Sequence, residues 1–195
     1  AANGVAVRIR SANAGGIAKN AGVLTNVVGG SMDMTLRPQP QSGVYDGQLT
    51  VRNTRVVRTN TMTELLNAMS IVGLLDEMNG QGIACSEIDA AFTLTPNSIR
   101  LNRSSAVGPS LGVSLDGLFD LRTSQMQLQG VVSPVYFLNG IGQIFSPRQG
   151  EGLFGFNYTV SGTSENPKVD VNPLSILTPG MFRDIFRRPP PKVTQ

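Results

Sequence analysis

The chain of 195 residues has no histidine, no tryptophan and a single cysteine, Cys85. Without histidine it has no Ser-His or Cys-His pair for nucleophilic catalysis, and no histidine ligand for a metal ion. With one cysteine it cannot form an internal disulfide bond. The composition favours one role for Cys85, that of a small buried apolar side chain.

Charged residues are also scarce, at 15% of the chain, against about a quarter in typical domains. The basic residues are not interleaved with aromatic residues, as a surface for single-stranded nucleic acid requires. Arg52, Arg55 and Arg58 recur at a spacing of three. On a regular strand this spacing alternates between faces, so it predicts exposed side chains and no nucleic-acid partner.

Signals for catalysis and membrane spanning are weak or missing. The phosphate-loop pattern GxxxxGK[ST] does not occur, and no apolar run is long enough to span a membrane. Asp116 and Asp120 are the nearest candidates for a pair of catalytic carboxylates. They alternate with apolar residues, which predicts the polar face of a strand. We therefore expect no catalytic residue, no metal, no cofactor and no enzymatic activity.

What the sequence does contain is period-two alternation of apolar and polar residues. Each such segment predicts an antiparallel strand with one apolar and one polar face. The segments are 32–36, 49–51, 88–94, 99–101, 111–115, 126–128, 154–160 and 169–171. Clusters of proline and glycine, such as RPQPQSG and TPNS, predict the turns between them. The expected fold is mainly β.

Two regions have helical character instead. The segment TMTELLNAMSIVGLLDEMNGQG predicts an internal helix near residues 61–79, opened by a capping box of Thr61 and Glu64. Near the end, Asn172 and Thr178 each precede a proline, as an N-cap residue precedes proline at the first helical position. Short C-terminal helices are therefore expected near residues 173–188.

The apolar faces of the strands have two interpretations. They could form a solid core against another layer, or they could line a groove filled by acyl chains. Both arrangements give the same alternation, so the pattern by itself leaves the choice open.

Residues 155–186, GFNYTVSGTSENPKVDVNPLSILTPGMFRDIF, resemble the C-terminal end of the AsmA-like family of bacterial envelope proteins, relatives of bridge-like lipid-transfer proteins. Residues 65–134 resemble the core of the same family, with a helix, paired strands and a closing L-x-G-x-V-x-P strand at 128–134. The membrane anchor and longer groove usual in that family are missing. We therefore expect residues 1–188 to be one β domain from a longer chain, followed by a proline-rich disordered tail, 189–195.

The resemblance implies a curved antiparallel sheet, a groove U-shaped in section, that shields phospholipid acyl chains between the inner and outer membranes. It implies a periplasmic, non-enzymatic protein of the bacterial cell envelope that supports outer-membrane biogenesis and integrity, its full-length chain anchored in the inner membrane. The expected partners are phospholipid and both membranes, with an outer-membrane protein as a further candidate. The alternative is a structural or adhesive β-domain with a solid core and no lipid.

Two sets of side chains follow from this interpretation. The expected lipid-binding residues are Phe92, Leu94, Val113, Leu115, Met126, Leu128, Phe154, Phe156, Tyr158 and Val160. The residues expected to close the groove or contact the outer membrane from the C-terminal helices are Leu174, Leu177, Met181, Phe182, Ile185 and Phe186.

Overall fold

A computed structural model describes residues 4–20, 26–57, 59–68, 79–134 and 155–172. This part of the chain forms one nine-stranded antiparallel sheet in which the strands lie in sequence order. The sheet is not closed into a barrel. The prediction of a mainly β fold with a curved antiparallel sheet is confirmed.

The strands are β1 Val7–Ser11, β2 Val27–Pro38, β3 Tyr45–Val56, β4 Ile83–Leu94, β5 Ser98–Val107, β6 Leu111–Asp120, β7 Gln125–Pro134, β8 Phe156–Thr163 and β9 Pro167–Asn172. Helix α1, Ala14–Asn20, follows β1, and helix α2, Asn60–Ala68, follows β3.

The register places apolar residues beside one another across the strands. Val113 of β6 is opposite Val132 of β7, which is opposite Phe156 of β8. The other face carries ion pairs, among them Arg52 with Glu87 at 2.9 Å. Over β2–β4 one face of the sheet is therefore apolar and the other polar, as the alternation predicts. Over β6–β8 the opposite face is buried as well, at Ser114, Val131 and Ser133.

The sheet curves toward its apolar face. Val27 of β2 and Val160 of β8 line the same cavity, although six strand spacings separate these strands in the sheet order. At about 4.8 Å per spacing, a flat sheet would hold them roughly 29 Å apart. The apolar face is therefore concave and the polar face convex.

A crease crosses β2, β3 and β4 at the row Gly30, Asn53 and Ser86. The ladder pairs the residues on either side of this row but not the row itself. Gly30 and Asn53 have φ angles of 79° and 54°, a region that glycine and asparagine tolerate best. Cys85 and Ile88, three residues apart, both line the cavity. Since regular alternation would turn them to opposite faces, the crease reverses the alternation.

Because of the crease, Arg52 and Arg55 do not alternate between faces, as was expected from their spacing on a regular strand. Arg52 pairs with Glu87 on the convex face. Arg55 precedes Val56, which lines the cavity, so Arg55 also points to the convex side. Both are exposed and share one face, whereas a regular strand would separate them. Arg58 lies outside the described residues.

The N-cap of helix α2 lies two residues before the predicted cap, Thr61. The Oγ1 atom of Thr59 accepts a hydrogen bond from the backbone N of Met62 at 2.9 Å, so Thr59 is the N-cap. The predicted capping box of Thr61 and Glu64 is wrong, because Thr61 lies within the first turn. The predicted span 61–79 is described as helix to Ala68, and residues 69–78 lie outside the described part.

Helix α2 lies over the concave face. Its Leu65 and Leu66 are 2% and 0% exposed. They belong to a core cluster with Ile83, Leu111, Met126, Val132, Tyr158 and Val160. At the start of the helix, Nδ2 of Asn60 donates to the carbonyl O of Glu165 in the β8–β9 turn, at 3.3 Å. The helix therefore connects the middle of the sequence to the far edge of the sheet.

Helix α1 was not expected from the sequence. Its backbone begins after Asn13, whose Oδ1 accepts a hydrogen bond from the N of Gly16 at 2.9 Å. Ala14 is 2% exposed, and a Cβ added at Gly15 would meet the backbone of Val27 and Val28. The helix is thus seated closely on the start of β2, and small residues allow that contact.

Some predictions lie outside the described residues. These are the C-terminal helices near 173–188 with all six of their named side chains, the tail 189–195, and Phe154. The domain boundary at residue 188 stays a prediction.

Candidate functional site: an apolar cavity

A cavity of about 400 Å³ lies between helix α2 and the concave face of the sheet. Its walls come from seven strands and the start of the helix. The lining residues are Asn26, Val27, Val56, Thr59, Thr61, Met62, Leu65, Ile83, Cys85, Ile88, Ser104, Ser105, Ala106, Leu111, Val113, Leu115, Leu128, Tyr158 and Val160. No Asp, Glu, Lys or Arg is among them.

The volume falls within the range of about 300–1,000 Å³ that is usual for ligand pockets. An apolar wall of this kind favours apolar guests. The site can therefore hold hydrocarbon, and the described residues of its wall offer no ionised group to a substrate.

Polar side chains on the concave face direct their hydrogen-bonding groups into the sheet. The hydroxyl of Tyr158 donates to the carbonyl O of Ser114 at 3.0 Å. The hydroxyl of Ser104 donates to the carbonyl O of Leu115, and that of Thr54 to the carbonyl O of Val28 at 3.0 Å. These bonds satisfy the donors locally, so the middle of the concave face behaves as an apolar surface.

Two aromatic side chains lie over glycines on the neighbouring strand. Tyr158 is opposite Gly130, and a Cβ at that glycine would come within 2.9 Å of the tyrosine hydroxyl. Phe92 is opposite Gly47, where a Cβ would collide with the ring. The glycines give the rings room to lie flat along the sheet, so that the rings become part of the concave wall.

The predicted lipid-binding residues divide into groups. Five of them line the cavity: Val113, Leu115, Leu128, Tyr158 and Val160. Met126 and Phe156 lie in or against the core cluster instead. Phe92 and Leu94 lie on the same face further along β4, away from the cavity, and Phe154 is outside the described residues.

Sequence reasoning missed other lining residues. These are Val27, Val56, Met62, Leu65, Ile83, Cys85, Ile88, Ala106 and Leu111. Val27, Val56 and Ile83 lie beyond the crease. There, the alternation continued from the rest of each strand would assign these residues to the wrong face of the sheet. Met62 and Leu65 reach the cavity from one side of helix α2. Cys85 was predicted to be a small buried side chain, and this is confirmed.

Asp116 and Asp120, the two carboxylates considered for catalysis, both belong to strand β6. The Oδ1 atom of Asp120 accepts hydrogen bonds from the backbone N of Thr123 at 2.8 Å and of Arg122 at 2.9 Å. These bonds, those from Thr123 foremost, lower the pKa of Asp120. Asp116 is only 8% exposed, so its expected position on a solvated face is wrong. The side chain of Asp120 holds a turn, and neither carboxylate lines the cavity.

A cluster of ion pairs lies on the convex face, away from the cavity. Asp33 of β2 accepts hydrogen bonds from Arg8 at 2.9 and 2.6 Å and from Arg10 at 3.1 Å. Arg8, followed by Arg10, lowers the pKa of Asp33 from 3.8 to about 2, against the opposing effect of desolvation. The cluster joins β1 to β2 and provides no catalytic geometry.

Across the described ranges, no three His, Cys, Asp or Glu side chains are grouped so as to hold a metal ion. Within the same ranges, no helix has the length and apolar character needed to cross a membrane. Comparisons with protein-family models, curated proteins and solved structures find no match. The resemblance to the AsmA-like family therefore stays a prediction.

Proposed function

We propose that this chain is the C-terminal part of a non-enzymatic conduit that shields phospholipid acyl chains in an apolar groove. In this proposal the groove serves transport between the inner and outer membranes and supports outer-membrane biogenesis and integrity. The observation that carries the proposal is the uncharged apolar cavity of about 400 Å³, set in the concave face of an unclosed sheet.

The energetics favour such a groove. Moving hydrocarbon from water into an apolar environment gains about 0.8 kcal/mol for each CH₂ group. An acyl chain in contact with the concave wall avoids most of that cost, while its head group stays in water. The protein then needs no chemical step, and lipid moves by exchange along a continuous apolar surface.

The partial burial of the lining residues favours a groove rather than a solid core. Val113, Leu115 and Leu128 pack against the core cluster and face the cavity, but they are only half buried. Protein cores are packed as densely as organic crystals, so a structural or adhesive β-domain would be expected to bury these side chains. Here they remain available to a guest molecule.

In this proposal the protein works in the periplasm of a bacterial envelope, and its full-length chain is anchored in the inner membrane. Its partners are phospholipid and the two membranes, with an outer-membrane protein as a further candidate.

Site-specific photo-crosslinking tests the proposal. A benzophenone amino acid replaces Leu128, which lines the cavity, or Gln127, which is exposed on the opposite face of the same strand. The protein is irradiated with phosphatidylethanolamine vesicles, and adducts are weighed by mass spectrometry. We expect a lipid adduct at position 128 and little at 127.

Native mass spectrometry of the unmodified chain gives an independent measurement, in which a bound phospholipid is expected. Equal adducts at the two positions, together with a lipid-free native spectrum, would instead support the structural or adhesive β-domain.

A further inference from the structure

We infer that the cavity under α2 holds one linear hydrocarbon chain at a time, with room for about a dozen of its methylene groups. The ligands are then lipids that can insert a single chain, among them single-chain lysophospholipids, and a phospholipid is held by one of its two chains. This inference rests on the proposed function and specifies the size and class of the ligand.

The volume of the cavity sets its capacity. A small group such as water or methylene occupies about 30 Å³ in a liquid. The cavity of about 400 Å³ therefore accommodates on the order of a dozen methylene groups, which is most of one acyl chain. The described residues of its wall include no Asp, Glu, Lys or Arg, so hydrocarbon is the guest that this wall fits.

The length of the wall gives an independent estimate. Leu111, Val113 and Leu115 line the cavity along β6, and Leu128 of β7, which is opposite Gly117, continues the wall. The six residue steps along β6 from Leu111 to Gly117 correspond to roughly 20 Å, at about 3.3 Å per residue. With C–C bonds of about 1.52 Å, an extended hydrocarbon chain advances roughly 1.3 Å per methylene group, so about 15 groups span the wall.

The two estimates agree only for a single chain. Two chains side by side, each as long as the wall, would contain about 30 methylene groups and need roughly 900 Å³. That is more than twice the volume of the cavity. The second chain of a phospholipid must therefore lie outside the cavity, on the open concave face.

A chain in the cavity is enclosed on two sides. The sheet contributes Val113 and Leu115 to one wall, and α2 contributes Met62 and Leu65 to the other. Each methylene group that enters should therefore lower the dissociation constant about fourfold, which is equivalent to about 0.8 kcal/mol. Once the cavity is full, further methylene groups rest on the open concave face or stay in water, so each of them strengthens binding less.

A series of lysophosphatidylcholines that differ only in chain length tests this capacity. Lipids of about 8 to about 18 carbons, which bracket the expected capacity of about a dozen methylene groups, are titrated into the protein below their micelle-forming concentrations. Isothermal titration calorimetry gives each dissociation constant. We expect it to fall about fourfold per methylene group up to about 12–16 carbons, and by a clearly smaller factor beyond that length.

Two variants should move this change of slope in opposite directions. Ala106→Leu adds three carbon atoms to the cavity wall, so the change should occur at chains about three carbons shorter. Leu128→Ala removes three carbon atoms, so it should occur at chains about three carbons longer. Ala91→Leu, in the cleft on the convex side, is the matched control and should leave it unchanged. Circular dichroism checks folding, and either cavity variant is sufficient for the comparison.

Three results would contradict the inference. If the dissociation constant falls by the same factor up to the longest lipid, or if neither cavity variant moves the change of slope, the cavity does not set the capacity and the proposed function stands. If phospholipid is crosslinked at position 128 but no lysophosphatidylcholine binds, the site needs two chains, and only the single-chain inference fails. If no lysophosphatidylcholine binds and position 128 gives no lipid adduct, the proposed function fails as well.

Discussion

At the scale of single residues, Tyr158 illustrates how a polar side chain joins an apolar wall. Its ring lies over Gly130, and its hydroxyl donates to the carbonyl O of Ser114. The side chain is 5% exposed, so water cannot replace that bond. The phenol therefore contributes an apolar surface to the cavity and a polar anchor to the sheet.

Tyr158→Phe removes this anchor and leaves the ring in place. We expect a loss of about 1 kcal/mol in the free energy of unfolding, which is the usual net contribution of one hydrogen bond. Urea unfolding followed by circular dichroism measures it, with Tyr45→Phe at the other end of the sheet as the control. An unchanged midpoint would show that the bond to Ser114 does not stabilise the fold.

Asp33 gives a residue-scale prediction for pH. Its pKa is lowered to about 2 in the folded protein, so its contribution to stability is complete above its ordinary value of 3.8 and disappears as the pH falls through about 2. Asp33→Asn should therefore unfold at a lower temperature than the wild type near neutral pH, and the difference should vanish near pH 2.

Because the Asp33 cluster is solvent-exposed, high salt should also reduce this difference. Thermal unfolding across pH at low and high ionic strength checks both effects. A difference in melting temperature that persists unchanged at pH 2 would exclude the ion pairs as its source.

At the scale of elements, α2 is a short helix of nine residues, too short to be stable without tertiary contacts. Its stability comes from the Thr59 cap and from the burial of Leu65 and Leu66. The same helix provides part of the cavity wall through Met62 and Leu65. Loss of the helix would therefore remove part of the cavity wall without breaking any strand pairing.

Thr59→Ala removes the cap and should lower the free energy of unfolding by about 1 kcal/mol. Thr59→Ser keeps the hydroxyl group and should stay close to the wild type. Chemical unfolding of the three proteins compares them. If the serine and alanine variants lose the same amount, the methyl group of Thr59 and not its hydroxyl stabilises the helix.

Leu65→Ala tests the contact between the helix and the sheet. A buried leucine shortened to alanine usually costs 2–5 kcal/mol, and about this range is expected here because Leu65 is 2% exposed. Glu64→Ala, on the exposed side of the same turn, is the matched control and should change little. A loss below that of the control would indicate that α2 contributes little to the fold.

At the scale of the whole molecule, Cys85 is a natural reporter of the cavity. It is the only cysteine of the chain, it is 7% exposed, and it lines the cavity. Phospholipid vesicles should slow its reaction with an uncharged maleimide, because a bound chain occupies the space that the reagent needs.

The matched control is the double variant Cys85→Ser, Ser86→Cys, which moves the single thiol to the exposed neighbouring residue. Its labelling should be fast and independent of lipid. Mass spectrometry over time gives both rates. Lipid that leaves the rate at Cys85 unchanged would mean that the cavity is not where lipid binds.

The sequence predicted the strands whose alternation is regular. In β6 and β7, which have no crease, the alternation at residues 111–115 and 126–128 groups residues of one face, and Val113, Leu115 and Leu128 all line the cavity. Helix α1 was not predicted, since AGGIAKN has only one large apolar residue and offers no periodicity. The cavity itself could not be predicted, because it depends on how strongly the sheet curves, and alternation is the same in flat and curved sheets.

The crease at Gly30, Asn53 and Ser86 limits which insertions and deletions the strands can accept. Deleting one residue from β2 alone, next to Gly30, would turn the remainder of that strand over, and charged groups such as Asp33 would then point into the apolar concave side. Length changes there are tolerable only if the adjoining strands change in step. The end of the groove under α2 is thus defined by backbone geometry shared among three strands, and substitutions that preserve chain length can alter its lining without altering its shape.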